Sequence, residues 1–200
     1  MARLDRAAVI TGAWTFVEAN GLDELTMRKL ASSLGVSHGT LYWHLANKRA
    51  LVDALAEDLL AGVADIDSVQ RGTDRLITLA GRLRSALLSR RDGARIVSGT
   101  FVRQPNTLAF GEAGIAAARD AGAQGPDAAL AAFSIQYFVL GFVTEEQAQQ
   151  QLIASGDWPG DASGIDADRF PLVAAALQTL RDVPRDAQFD YGVRRLVRSL

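Results

Sequence analysis

The chain has 200 residues, 48% of them hydrophobic and 22% charged, with a formal net charge of −2. That length suits one or two domains around a sizeable core. The absence of cysteine excludes a disulfide framework and a thiolate metal site, and makes a reducing, cytoplasmic setting the simplest expectation. No basic segment followed by an apolar run opens the sequence, so no secretory signal is read. The longest apolar run, Ala128 to Val143, contains Ser134 and Gln136 and falls short of the ~20 residues a membrane span needs. Charge is spread unevenly. Residues 1–50 hold six Lys/Arg against four Asp/Glu, and the remainder holds fifteen against nineteen. The pattern is a small basic head on an acidic body.

Leu4 to Asn20 reads as a helix with Ile10, Ala13, Trp14 and Val17 on one face, stopped by Gly21. Arg3 and Arg6 could lie near a phosphate strand, although solvated charge is the simpler reading. Thr26 is a good N-cap for a short helix patterned by Leu30, Ala31 and Leu34. Gly35 then ends it, because only Gly enters the left-handed region without steric cost. Ser37 caps a second short helix containing Thr40, Leu41, Tyr42 and His44. Two short helices across a Gly turn make a helix-turn-helix candidate.

The surface of that second helix is unusual. Leu41 and Leu45 point to one side. His38, Gly39, Thr40, Tyr42, Trp43 and His44 occupy much of the rest, where a solvated helix would carry Lys and Glu. Thr can touch a thymine methyl, hydroxyls and imidazoles reach phosphates or base edges, and Gly39 allows close approach. Taken alone, Tyr42 and Trp43 suit a core equally well. The cap-Gly-cap grammar around them favours DNA. Thr26, Arg28 and Ser37 join the candidate DNA contacts, as does Lys48 at the start of the next helix.

Asn47 caps that next helix, in which Leu51, Leu55 and Leu59 recur every fourth residue as far as Gly62. At ~1.5 Å per residue it would exceed 20 Å and could link head to body mechanically. Asp65 to Thr73 is polar and loop-like. Asp74 to Leu88 is helical, with Leu76, Leu79, Leu83 and Leu87. A short segment, Ala94 to Ser98, leads to Gly99 and Thr100. Pro105 and Asn106 open a weakly patterned helix to about Ala121. Pro126 opens the strongest helix, apolar around its whole circumference through Phe133, Tyr137, Phe138, Leu140 and Phe142. Such a helix must be buried on all sides, and one side is expected to meet a second subunit. Gln147 to Gln151 should end it in water. Ala154 to Asp168, with Gly156, Pro159, Gly160 and Gly164, reads as a flexible loop. Phe170 to Arg181 is a further helix. The last places Phe189, Val193, Leu196, Val197 and Leu200 in one apolar stripe, suited to docking in a helix bundle. Phe133, Leu140, Val193, Leu196 and Val197 are the candidate subunit-interface residues.

No catalytic constellation emerges. Both histidines fall in the helix-turn-helix, Glu145 and Glu146 diverge by about 100° on their helix, and there is no phosphate-binding Gly loop. An all-helical hydrolase or transferase, or an architectural DNA-binding protein without an effector, are the alternatives. No cofactor or resident metal is expected.

The run TMRKLASSLGVSHGTLYWHLANKRAL, Thr26 to Leu51, resembles the DNA-binding domain of the TetR family of bacterial repressors. The LYWH tetrad, NKRALVDAL, the opening MARLDRAAVI and SALLSRRDGARIVSGT (Ser85 to Thr100) are similar to the tetracycline repressor branch in particular. The resemblance therefore touches both halves of the chain. It implies an all-α fold. Residues 1–47 would form a three-helix DNA-binding domain with the helix-turn-helix, 48–64 a connecting helix whose tilt carries the effector signal, and 65–200 a helical ligand-binding and dimerisation domain. It implies a homodimer held by two helices from each subunit, a palindromic double-stranded DNA operator, a small-molecule effector and no membrane.

The effector site is where this sequence departs from the branch. There the family holds a magnesium–tetracycline complex with an imidazole on the metal. The resemblance places that His position on Val97, which offers no lone pair. Other drug-contacting positions fall on Ala64 and Leu79, and a pocket Phe on Leu83. The His of the long helix becomes Tyr137. Thr100 and Glu145 match. Glu145 suits a ligand contact, within its own subunit or across to the other, and a solvated helix end equally well. A small, largely apolar effector is expected in place of the metal–drug complex.

Overall fold

The computed structural model describes residues 4–67, 69–100, 103–159, 164–198 and 200. Ten helices and no strand occur among them. The first four build the head. Helix α1 (Arg6–Asn20) is capped by Asp5, whose carboxylate accepts the Ala8 amide at 2.8 Å. It buries Val9, Ala13, Trp14 and Val17 against α2 (Met27–Ser33), α3 (His38–His44) and α4 (Lys48–Leu59). Arg6 is exposed at its start, and Arg3 lies outside the described residues.

Local grammar sets the turns. The Thr26 hydroxyl accepts the Lys29 amide at 3.2 Å, and Gly35 adopts φ +65°. The Val36 amide then reaches back to the Ala31 carbonyl at 3.0 Å, the closing bond of a Schellman motif. Ser37 and Asn47 cap α3 and α4 through the Thr40 and Ala50 amides. Helix α4 is shorter than its leucine repeat suggests. It stops at Leu59 after 12 residues, about 18 Å, and turns continue the chain past Gly62.

The body comprises α5 (Gly72–Leu88), α6 (Gly93–Val97), α7 (Pro105–Asp120), α8 (Pro126–Ser155), α9 (Pro171–Asp182) and α10 (Arg185–Val197). Helices α5, α7, α8 and α10 pack around one core. Helix α8 runs for 30 residues, well past the expected end at the glutamines. Gln147 does not end it in water. Its side chain is buried, accepts the Ala94 amide at 3.1 Å and donates to the Leu87 and Arg90 carbonyls at 3.1 and 2.8 Å. By length and composition alone α8 could cross a bilayer. It instead buries Ile135, Val139 and Val143 inside the bundle together with Glu146 and Gln147.

Within one subunit α8 is not covered on every side: Leu130 and Tyr137 are 65% and 63% exposed. Val193 and Val197 go the other way. At 1% and 5% exposure they are enclosed by their own subunit and offer almost no surface to a second one. The apolar stripe of α10 is used up holding it to α5 and α8. Leu196 is half-buried beside them. Helix α9 buries none of its residues, and Leu172, Val173 and Leu180 stand open to solvent.

Candidate DNA-reading head and effector chamber

The head exposes a reading surface. Leu41 and Leu45 are buried and fix α3 to the core. Ser37, His38, Gly39, Thr40, Tyr42 and Trp43 are exposed, and His44 is half-buried. Trp43, at 87% exposure, is no core aromatic. The His38 and Tyr42 rings meet edge to face at 4.7 Å, one turn apart. The Ser37 and Thr40 hydroxyls lie 2.8 Å from each other. A Cβ on Gly39 would meet only the Ser37 hydroxyl, at 3.9 Å, so this side of α3 is open to an approaching surface. Thr26 and Arg28 are exposed at the start of α2 and Lys48 at the start of α4. None of Arg28, Tyr42, Trp43 and Lys48 is packed away in the core.

The body holds an apolar chamber of about 460 Å³, within the size range of small-ligand sites. Leu60, Leu83, Val97, Phe110, Ile115, Phe133 and Leu140 form its apolar walls. Thr100, Arg103, Thr107, Glu112, Gln136 and Tyr137 are its polar groups. The Thr100 hydroxyl already donates to the Val97 carbonyl at 2.6 Å and is left only as an acceptor. An inner crevice of about 20 Å³, lined in part by Leu79, Leu83 and Phe110, opens behind the chamber. That space holds about one water.

The candidate effector residues thus divide. Leu83, Val97, Thr100 and Tyr137 line the chamber, and Leu79 lines the crevice behind it. Ala64 lines neither. It lies beyond the end of α4, half-buried against the core. Glu145 also lines neither and is exposed on α8; its neighbour Glu146 is the buried one. Phe133 and Leu140, expected at a subunit interface, are chamber walls, because α8 turns that side toward α7. No cluster of three metal-ligating side chains occurs among the described residues. Val97 presents methyl groups where the resemblance implies an imidazole, so the direct protein–metal bond at that position cannot form.

Several walls carry no signal in the sequence. Phe110, Thr107 and Leu108 belong to α7, whose apolar spacing is weak. Leu60 follows α4 rather than belonging to its leucine repeat.

Head and body meet through α6 and the loop before it. Asp92 is 2% exposed, with φ +59°. Its carboxylate accepts the Leu22 amide at 2.9 Å and Arg95 at 3.1 Å. Arg95 reaches on to Asp23 at 2.7 Å. The hydrogen bond and charge of Arg95 hold the Asp23 carboxyl below its ordinary value. The Arg90 guanidinium lies 5.2 Å over the Trp14 ring, whose Nε1 donates to Asp58 at 2.8 Å.

Two family models match the chain. "Bacterial regulatory proteins, tetR family" covers residues 9–55, and "Tetracyclin repressor-like, C-terminal domain" covers residues 70–199. The class A tetracycline repressor protein from transposon 1721 of Escherichia coli is 39% identical over the whole chain and 92% of its own length. A possible TetR family transcriptional regulator from Streptomyces coelicolor A3(2) superposes with a TM-score of 0.86 at 36% identity, covering 98% of both chains. A class A TetR in complex with 5a,6-anhydrotetracycline and magnesium superposes with a TM-score of 0.72 at 32% identity, covering 98% of this chain and 97% of that one. Matched in both halves and along its full length, the chain belongs to the TetR family of bacterial transcriptional regulators.

Proposed function

We propose that the chain is a homodimeric repressor that leaves a palindromic operator when a small, largely apolar effector fills the body chamber. One conjunction carries this reading. An α3 face of exposed aromatic and hydroxyl groups sits in the same subunit as an apolar chamber, and the C-cap residue of α4, Leu60, is part of the chamber wall. Each subunit sets Ser37 to His44 in a major groove, and Lys48 meets a phosphate. Two subunits read two half-sites, since operator symmetry follows protein symmetry. The uncovered apolar residues of α8 and α9 supply the surface for pairing. The effector shifts the equilibrium only by as much as it prefers the DNA-free form. The setting is the cytoplasm, where the operator is.

Selection of bound sequences from a pool of random duplexes tests the reading. A two-fold symmetric site is the expected product, with half-sites roughly one or more helical turns apart. Lys48→Ala should lower the slope of log affinity against log salt by about one for each phosphate that the lysine neutralises. An unsymmetric product, or no enrichment, would overturn the proposal.

A further inference from the structure

A helix start leaves its first amides unbonded, and the capping residue before it normally takes those of the second and third positions. In α7 the capping position is Gln104, which makes no side-chain cap bond, and the first helical residue is Pro105. The amides of the second and third positions, Asn106 and Thr107, go instead to the carboxylate of Glu57, at 2.6 and 3.1 Å. The Thr107 hydroxyl donates to the same carboxylate at 2.9 Å, and the Asn106 side-chain amide donates to the Glu57 carbonyl at 3.1 Å. Glu57 belongs to α4. Helix α7 therefore borrows its cap from the helix that carries the DNA-reading head.

The turn so held is also a wall of the chamber. Thr107, Leu108 and Gly111 line it from α7, and Leu60, three residues beyond Glu57, lines it from the α4 side. Bonds from amides to an ionised carboxylate are stronger than neutral ones, and negative charge suits a helix N-terminus. A side-chain bond from α4 also reaches the chamber rim at Gly99, but it is a single exposed one, donated by Arg49 to the carbonyl at 3.2 Å.

We propose that Glu57 is the positioning residue through which filling of the chamber is passed to α4 and so to the head. The inference rests on the regulator reading of the chamber. An occupant displaces the first turn of α7, and the shared cap draws α4 with it.

The test needs no knowledge of the natural effector. Gly111 lines both the chamber and the crevice, and a Cβ there would meet no atom within 4 Å, so Gly111→Leu serves as a fixed occupant. Hydrogen exchange across α4 is compared in the wild type, Gly111→Leu, Glu57→Ala and the double variant, with thermal melts for each. Gly111→Leu should raise α4 exchange by about tenfold, and the double variant should match Glu57→Ala to within about twofold. Glu57→Gln, which keeps one acceptor oxygen, should restore part of the response. Gly111→Ala serves as the smaller occupant where Gly111→Leu fails to fold. A Glu57 that only caps α7 would speed exchange in the first turn of α7 and leave the α4 response to the occupant intact; that result overturns the proposal. An α4 indifferent to both occupants overturns it as well. Binding of the wild type to its selected duplex is measured in parallel. Intact DNA binding beside a failed coupling removes the role of Glu57 alone, whereas failed DNA binding removes the regulator reading.

Discussion

At Val97 the chamber wall ends in methyl groups and is 5% exposed. Such a side chain cannot donate to a metal. By the family resemblance Leu79, in the crevice behind, removes a further polar drug contact, and Leu83 replaces an aromatic one. A polar drug group left buried and unpaired costs ~1–3 kcal/mol, and several such losses amount to orders of magnitude in affinity. Calorimetric titration with tetracycline and magnesium should accordingly show binding far weaker than nanomolar. Nanomolar, magnesium-dependent heats would mean that another side chain supplies the missing ligand. At this scale the sequence is informative wherever a residue's role is local. The caps at Thr26, Ser37 and Asn47 and the left-handed Gly35 follow from side-chain chemistry within three residues. Glu57 is invisible there, because its partners lie 49 and 50 positions away and its own helix does not need it. Ala64 and Glu145 fall outside the chamber for a related reason: positional correspondence fixes a place in the chain, whereas cavity walls depend on how α4 and α8 are turned.

Among the elements, α5, α8 and α10 are pinned by one guanidinium. Arg84 donates to Glu146 on α8 at 2.8 and 3.0 Å and to Asp186 on α10 at 2.7 Å. It lies 4.9 Å from the centre of the Phe189 ring. The Glu146 bond, with Asp186 behind it, holds the guanidinium above its ordinary pKa. The Glu146 side chain is only 9% exposed, so Arg84→Met should destabilise the fold by about 3–5 kcal/mol, the cost of stranding a buried charge. Adding Glu146→Leu should recover most of that loss in urea melts. Equal stability of wild type and Arg84→Met would show that the pair is not holding the bundle. Helix existence is legible from periodicity almost throughout. The faces are less so. Gln147 reads as a solvated helix end until α6 is seen to need it, and the α10 stripe reads as an interface until α5 and α8 are seen to fill it.

For the whole molecule, what remains uncovered matters most. Leu130 on α8 and Leu172, Val173 and Leu180 on α9 are large apolar residues left exposed on a single subunit. Where such residues lie together they mark a contact surface. Sedimentation at micromolar concentration should return a dimer; a monomer would remove the palindrome along with the interface. Composition and the cap-Gly-cap segment are enough to separate a DNA-reading head from a helical body. They say nothing of how tightly the two are joined.

That join bears on exchanging parts between relatives. A head cut away at Asn47 would leave behind it the start of α4, and one cut away at Leu60 would take with it the cap of α7. The Asp92 bond to Leu22 and the Arg95 bond to Asp23 would be severed by either cut. In a hybrid built from a foreign head and this body, the first turn of α7 would have to find a carboxylate at the height of Glu57 or go without one. The unit that can be transplanted is therefore not the helix-turn-helix alone. It includes α4 and the two segments, 91–95 and 104–107, into which the head is keyed.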